Sequence, residues 1–348
     1  MRTGSRVTTA LLVLSGTLLG GCGDGPAPAE ADRLRLGWQV PWATQGQLVQ
    51  ILKHTDLASR NGLDVTFSGF SYGAPLNEAA LAGEVDVLLT ADQPAATLIA
   101  RDTSWAIIGR LMYNRVAIYV PPRSRVHRVS DLRGLRIGIP FGAAAHRFAL
   151  EVLAEAGVNP DSGVQALNLD IYEHGPIVAS GSDADWGDID ALVGFDPTPA
   201  LFEVRGQARI LAHGNVVSLV LANRRFLAEH PEAAARFLKA LHEAYWYYSQ
   251  NPEHANAWFA EGARLTLDHE VLRIAASVEP NVAARSPEEI TLDLTPEDFR
   301  VLEEAAAFIH ARGMVPSRVD MRGAFEPGPL RRARSLLQRD GFASAPAS

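Results

Sequence analysis

The chain reads as an α/β protein of two lobes, with mixed or parallel sheets and helices on both faces. Three observations predict this. Short apolar runs alternate with amphipathic stretches from residue 34 to residue 222, the pattern of βαβ units. The alternation pauses at a β-rich run, 116–120, that ends in Pro121-Pro122, and then starts again. Finally, 348 residues are more than a single hydrophobic core usually fills.

The elements follow in order. Leu34, Leu36 and Trp38 alternate in a first strand, 34–40, which leads into a polar loop containing Gly46. Leu48, Ile51 and Leu52 give helical spacing over 47–59, stopped by Asn61-Gly62. A strand at 65–70, a short helix at 75–82 closed by Gly83, and a buried strand at 85–90 come next. Pro94 is expected to open a helix as its first residue, and 106–109 is a strand. In the second set, strands are expected at 136–140, 164–169 and 189–195, with a helix at 144–156. The last of these strands lies in Gly187-Asp188-Ile189-Asp190-Ala191-Leu192-Val193-Gly194-Phe195-Asp196-Pro197, an apolar run ending in aromatic-Asp-Pro. Such a run delivers side chains to the carboxyl end of a sheet, the edge where open α/β sheets bind small ligands.

A further strand, 216–222, leads into a helical C-terminal third. Ser286-Pro287-Glu288-Glu289 and Thr295-Pro296-Glu297-Asp298 each combine a hydroxyl N-cap, a first-turn proline and an acid at the third position. Phe237, Leu238, Leu241, Tyr245 and Tyr248 form one apolar helix stripe, and Phe299, Leu302, Ala306 and Ile309 another. Both read as core. The runs 116–121 and 216–222 are expected to cross between lobes as a hinge. The first lobe is then discontinuous, 33–121 plus 221–348, and the second is 122–215.

Residues 1–22 read as an export signal. Arg2 and Arg6 precede an apolar stretch, 7–19, and Leu19-Gly20-Gly21-Cys22 resembles a bacterial lipobox whose cysteine is acylated. Cys22 is the only cysteine, so no disulfide within the chain is possible. Residues 23–32, rich in Gly, Pro and Ala, read as a flexible tether. The expectation is a protein of the periplasm or cell surface, held to a membrane by its N-terminal lipid. No later run is long enough to span a bilayer.

Charge and motifs remove several classes of function. The net charge of −8, from 40 acidic against 32 basic residues, gives nucleic acid no footprint. Hydrophobic content of 47% with 21% charged residues speaks against disorder. The ten histidines show no His-x-x-x-His pairing, so neither a metal nor another cofactor is expected. Nucleophile-elbow, phosphate-loop and dinucleotide signatures are missing, which leaves catalysis little support.

The candidates that remain belong to ligand binding. Trp38, Trp42, Tyr72 and Phe195 are candidates for an aromatic box on a flat or cationic ligand, with core packing equally open for Trp38. Asp92 and Asp196 are candidates to pair with a ligand amine or ring nitrogen; capping a helix is the equal alternative for Asp196 and the favoured one for Asp92, two residues before Pro94. His146, one turn into a helix, is a candidate hydrogen-bonding group or a packing histidine. Glu173 and His174, before Gly175-Pro176, read as a solvated loop, and His213 and Asn215 carry the same low weight.

Together these stretches resemble the substrate-binding lipoproteins of ABC importers in the sulfonate, taurine, nitrate and thiamine-pyrimidine-precursor group. The matching residues are Leu36-Gly37-Trp38-Gln39, Ala80-Leu81-Ala82-Gly83-Glu84-Val85-Asp86-Val87, Val129-Ser130-Asp131-Leu132-Arg133-Gly134-Leu135-Arg136-Ile137-Gly138, the run 142–146 and the run 187–197. The resemblance implies a type II periplasmic-binding fold with ligand between the lobes. It places site loops at 39–46 (with Gln39, Trp42 and Thr44), at Tyr72-Gly73-Ala74, at Ala91-Asp92-Gln93-Pro94, at 141–146 (with Phe141, Gly142, Ala143, Ala144 and His146) and at Phe195-Asp196-Pro197. It implies a monomer that delivers a small molecule to a membrane permease driven by a separate ATPase.

One departure bears on the ligand. Oxyanion-binding members of the group carry Ser or Thr where this chain has Ala143, Ala144 and Ala145. Charge-assisted hydrogen bonds are worth roughly 1.5–3 kcal/mol each, against ~0.3–1 kcal/mol for a helix dipole on a nearby anion. Sulfonate and nitrate are therefore disfavoured, and a neutral or cationic heterocycle, pyrimidine-like, is expected. Two alternatives are a pyrimidine-precursor synthase on the same fold, which the export signal opposes, and a membrane-tethered solute sensor.

Overall fold

The computed structural model describes residues 31–340. The signal, Cys22 and most of the tether lie outside the described residues. In the first half, β1 (Asp32–Gln39), α1 (Gln45–His54), α2 (Leu57–Arg60), β2 (Leu63–Phe70), α3 (Gly73–Leu81), β3 (Val87–Ala91) and α4 (Asp92–Arg101) precede the long strand β4 (Trp105–Val120). The second half contains β5 (Arg136–Ile139), α5 (Ala144–Glu155), β6 (Gln165–Asn168), α6 (His174–Ser180), β7 (Ala191–Phe195) and α7 (Thr198–Val204). A second long strand, β8 (Arg209–Asn223), leads into α8 (Arg224–Glu229), α9 (Pro231–Gln250), α10 (Pro252–Ala263), α11 (His269–Ala276), α12 (Pro296–Ala311) and α13 (Pro327–Asp340).

The eight strands among the described residues share one sheet in the order β2-β1-β3-β8-β4-β7-β5-β6. Two parallel three-stranded sets, β2-β1-β3 and β7-β5-β6, flank a ribbon formed by antiparallel β8 and β4. Different ends of the ribbon serve each set. The Ser218 to Ala222 end of β8 pairs with β3, and the Val116 to Tyr119 end of β4 pairs with β7. β3 and β7 are buried along their whole length, which is why they read as continuous apolar runs rather than alternating ones.

A large apolar core unites α1, α5 and α9 on one face of the sheet. On the other face, α3, α4 and α12 cover the first set, and α6, α7 and α11 the second. Helices therefore lie on both faces, as the βαβ alternation predicts. The stripes of α9 and α12 are core, with Phe237, Leu238, Leu241, Tyr245, Leu302 and Ile309 all buried.

Several boundaries differ from the sequence expectation for identifiable reasons. β1 begins at Asp32, whose carboxylate meets His230 at 3.3 Å and also Arg236. The strands expected at 106–109 and 116–120 are one strand, and 216–222 is the far part of β8. Arg110 interrupts the apolar pattern but is buried by its ion pair with Glu279 at 2.7 Å, and bulges at Ile107/Gly109 and Arg110/Met112 break the alternation. The helix expected over 47–59 breaks at Thr55, which is extended and whose Oγ1 donates to the Ile51 carbonyl at 2.7 Å. Pro94 is the third residue of α4 rather than its first. The Thr295 cap forms, with Oγ1 accepting from the Asp298 N–H at 3.1 Å. The Ser286 cap does not, and only a single 3₁₀ turn follows it. Of the pair expected in a solvated loop, Glu173 is exposed, at the end of a 3₁₀ turn, but His174 opens α6 fully buried, with Nδ1 2.6 Å from the Tyr119 hydroxyl.

Candidate functional site

The loops after β1, β3, β5 and β7 all emerge at the carboxyl ends of parallel strands, two from each set. The loop after β1 is the most constrained. Gly46 stands where an added Cβ would lie 2.2 Å from the Phe259 ring, so only glycine lets α1 seat against α10. Thr44 has φ 68° and ψ −56°, near the strained γ-turn geometry and unusual for a β-branched residue. Gln47 Oε1 accepts from the Thr44 N–H at 2.6 Å, and Gln45 Oε1 accepts from the Gln39 N–H at 2.5 Å. These side chains tie down a loop that is buried from Pro41 onward.

That loop touches the far set of strands. Trp42 packs on Phe195 with ring centroids 5.1 Å apart. The Ala43 N–H donates to the Asp196 carbonyl at 3.2 Å, and Asn114 Nδ2 on β4 donates to the Ala43 carbonyl at 3.4 Å. A second bridge joins α4 to α5. Arg147 reaches the Asp92 carboxylate at 2.6 Å, and its backbone N–H donates to Gln93 Oε1 at 3.0 Å. Gly142, with φ +82°, would place a Cβ 3.1 Å from Ala74, so the loops at 73–74 and 141–146 also meet.

Both candidate aspartates are fully buried and ion-paired. Asp196 binds Arg115 of β4 through both oxygens, at 2.7 and 3.2 Å, and Oδ1 also accepts from the Ala200 N–H at 3.1 Å. Burial pushes the Asp196 carboxyl up, and Arg115 opposes the shift. Asp92 is the first residue of α4, where Oδ1 accepts from the Gln93 N–H at 2.6 Å. Neither aspartate is the N-cap expected of it, since Ala91 and Pro197 hold those positions; each accepts one nearby backbone N–H, and an internal arginine takes its charge.

His146 stacks on Phe141 at 4.8 Å, and its Nδ1 accepts from the Gly142 N–H at 3.3 Å. Burial, helped by the charge of Arg312, lowers its pKa to about 4. The ring is therefore neutral at pH 7 with its proton on Nε2. Tyr72 is half-buried; burial first, and then Asp170 and Glu173, raise its phenol. Gly73 leaves room for Pro94, which a Cβ would approach to 2.6 Å. Ala143 and Ala144 are buried at the start of α5 and offer backbone only.

The four expected aromatics do not form one box. Trp42 and Phe195 are in ring contact, Tyr72 lies by the second-set loop at Asp170, and Trp38 belongs to the core with its ring nitrogen toward Gly69. Sequence reasoning missed Gln45, Asn114, Arg115 and Arg147. Arg147 immediately follows His146, yet an arginine on an amphipathic helix carries no mark of burial. Around these residues several buried polar atoms have no partner among the described residues: Trp42 Nε1, Thr44 Oγ1, Gln45 Nε2, Asn114 Oδ1 and Arg147 Nε. Such atoms are rare and costly unless something else satisfies them. No group of three or more His, Cys, Asp or Glu able to hold a metal occurs among the described residues.

Comparison with known proteins adds a family and a fold. The profile of the family described as NMT1/THI5 like matches residues 59–255. The taurine-binding periplasmic protein of Escherichia coli K12 is 23% identical over 277 residues, covering 75% of this chain and 81% of that protein. Among solved structures, the alkanesulfonate-binding protein SsuA from Xanthomonas axonopodis pv. citri, bound to MOPS, aligns with a TM-score of 0.66. It shares 23% identity and covers 86% of this chain and 99% of its own. The desulfurization enzyme DszB aligns with a TM-score of 0.62 at 13% identity, covering 87% and 99%. The fold is that of periplasmic binding proteins, and it is one that an enzyme also uses.

Proposed function

The chain belongs to the NMT1/THI5-like family, and from that premise we propose that it is the extracytoplasmic solute-binding component of an ABC importer. The observation that carries the reading is the set of unpartnered buried polar atoms where the two strand sets meet. Trp42 Nε1, Gln45 Nε2 and Arg147 Nε are donors, and Asn114 Oδ1 is an acceptor. A flat heterocycle with ring carbonyls and a ring N–H satisfies both kinds, and a pyrimidine-like molecule is the ligand class we assign. Thr44 Oγ1 adapts to either role. Gln39, Tyr72, Gly73, Phe141, Gly142, Ala143, Ala144 and His146 would complete the walls, with Phe195 behind Trp42.

The two strand sets act as lobes in this reading, 33–121 with 221–348 against 122–215, hinged where β4 and β8 pass between them. Ligand would favour the closed arrangement by its extra contacts there, and closure would form the surface that a permease recognises. Cys22 would carry the lipid that holds the protein at the periplasmic or outer cell surface.

Isothermal titration against uracil, cytosine, taurine and ethanesulfonate tests the reading. Micromolar or tighter binding of a pyrimidine supports it. Binding of ethanesulfonate alone rejects the ligand class, and silence across a wider solute library rejects the function.

A further inference from the structure

Two arginines reach the cleft loops, and each is held by two carboxylates rather than one. Arg147 pairs with Asp92 at 2.6 Å and with Glu151 at 2.9 Å. Arg115 pairs with Asp196 at 2.7 Å and with Glu203 at 3.1 Å. The two clusters have the same construction. A fully buried aspartate directly follows a central strand, β3 or β7. A glutamate whose side chain is 35% or 39% exposed then adds a second carboxylate to the same guanidinium. The oxygens of Asp92 and Asp196 meet only N–H donors in their hydrogen bonds, the geometry of ionised carboxylates.

From these two clusters we infer that Glu151 and Glu203 are specificity-determining residues: they leave one surplus negative charge beside the ligand at each end of the cleft, so that the site selects uncharged or zwitterionic molecules and rejects simple anions. Neither arginine needs its glutamate for charge balance, since the aspartate already matches it. Beside Tyr72 acidic groups outnumber cations, with Arg264 opposing them at the neighbouring Tyr172. Asp170 and Glu173 face Tyr72, while Arg312, the cation beside His146, is itself paired with Asp161. An anion would meet neutral donors from Trp42 and Gln45, but no free cation among the described residues of these loops. Arg147 Nε still offers its N–H to a neutral acceptor.

This inference rests on the solute-binding reading, and inorganic sulfate separates the two. We expect the wild-type protein to show no heat with millimolar sulfate or ethanesulfonate. The Glu151→Gln/Glu203→Gln double variant should bind sulfate at least ~10-fold tighter, the scale of a unit charge acting over several ångströms at intermediate dielectric. Each single variant should give roughly the square root of that gain, which keeps the test open should the double variant fold poorly. Sulfate binding by the wild type as tight as by the variants overturns the inference, as does the lack of any gain in the variants. If the sulfate gain appears while no uncharged or zwitterionic solute binds the wild type, the importer reading fails and the charge selection stands.

Discussion

In the proposed site, Trp42 would serve both packing and recognition. Its ring is buried against Phe195 while its N–H has no partner, so Trp42→Phe keeps most of the contact and deletes the donor. We expect ligand affinity to fall about 5- to 10-fold, as for one neutral hydrogen bond, with an unchanged melting temperature; titration and scanning calorimetry together check this. The buried histidines give a pH prediction. Burial lowers His174 to about 3 and His146 and His242 to about 4. Between pH 6.5 and 4 the unfolded chain holds protons on these residues that the folded chain does not. Stability must therefore fall as the pH drops through that window, by up to roughly 1.4 kcal/mol per pH unit for each histidine. Urea midpoints at pH 7 and pH 4.5 measure it, and His174→Gln should lessen the drop. At this scale the sequence marked Trp42, Asp92, Phe195 and Asp196 because they follow apolar runs. It could not mark Arg115 or Arg147, whose burial depends on acids 81 and 55 positions away.

Among the elements, β4 carries the most tertiary burden. Its Arg110 is sealed against Glu279, which also accepts the Tyr113 and Asn281 N–H groups at 2.8 and 2.9 Å. Glu279→Gln leaves a guanidinium buried without a counter-charge and should destabilise the protein by about 3–5 kcal/mol, read as a lower urea midpoint at unchanged slope. A milder case is α1, where Gly46→Ala drives a methyl into Phe259 and should cost about 1–3 kcal/mol by overpacking. Elements with regular patterns were legible: β3 and β7 as apolar runs, α9 by its stripe, α12 by its cap. β4 was legible only at its two apolar ends, because a buried ion pair and two bulges erase the period-two signal between them. His174 failed for a related reason. Glu-His-Gly-Pro has the composition of a solvated turn, and only the fold brings the Tyr119 hydroxyl, 55 residues earlier in sequence, onto the His174 Nδ1.

For the whole molecule, the proposed closure predicts that a bound pyrimidine reduces the radius of gyration measured by solution scattering. The proposed acylation of Cys22 predicts that Cys22→Ser moves the protein from the membrane fraction to the soluble one. The alternation of strands and helices foretold both strand sets and the helices on both faces. That the sets share a single sheet through one antiparallel ribbon was not foreseeable, since β4 pairs with β8 across the entire second half. This ribbon has a consequence for biogenesis. β3 is flanked by β1 and β8, and Leu88 pairs with Leu221, so the first three strands to leave the ribosome lack their last neighbour until well over half the polypeptide exists. The β5-β6-β7 portion, encoded later, can assemble sooner. Secretion of such a chain would find its early part still unfinished and threadable, because the segment that locks it arrives late.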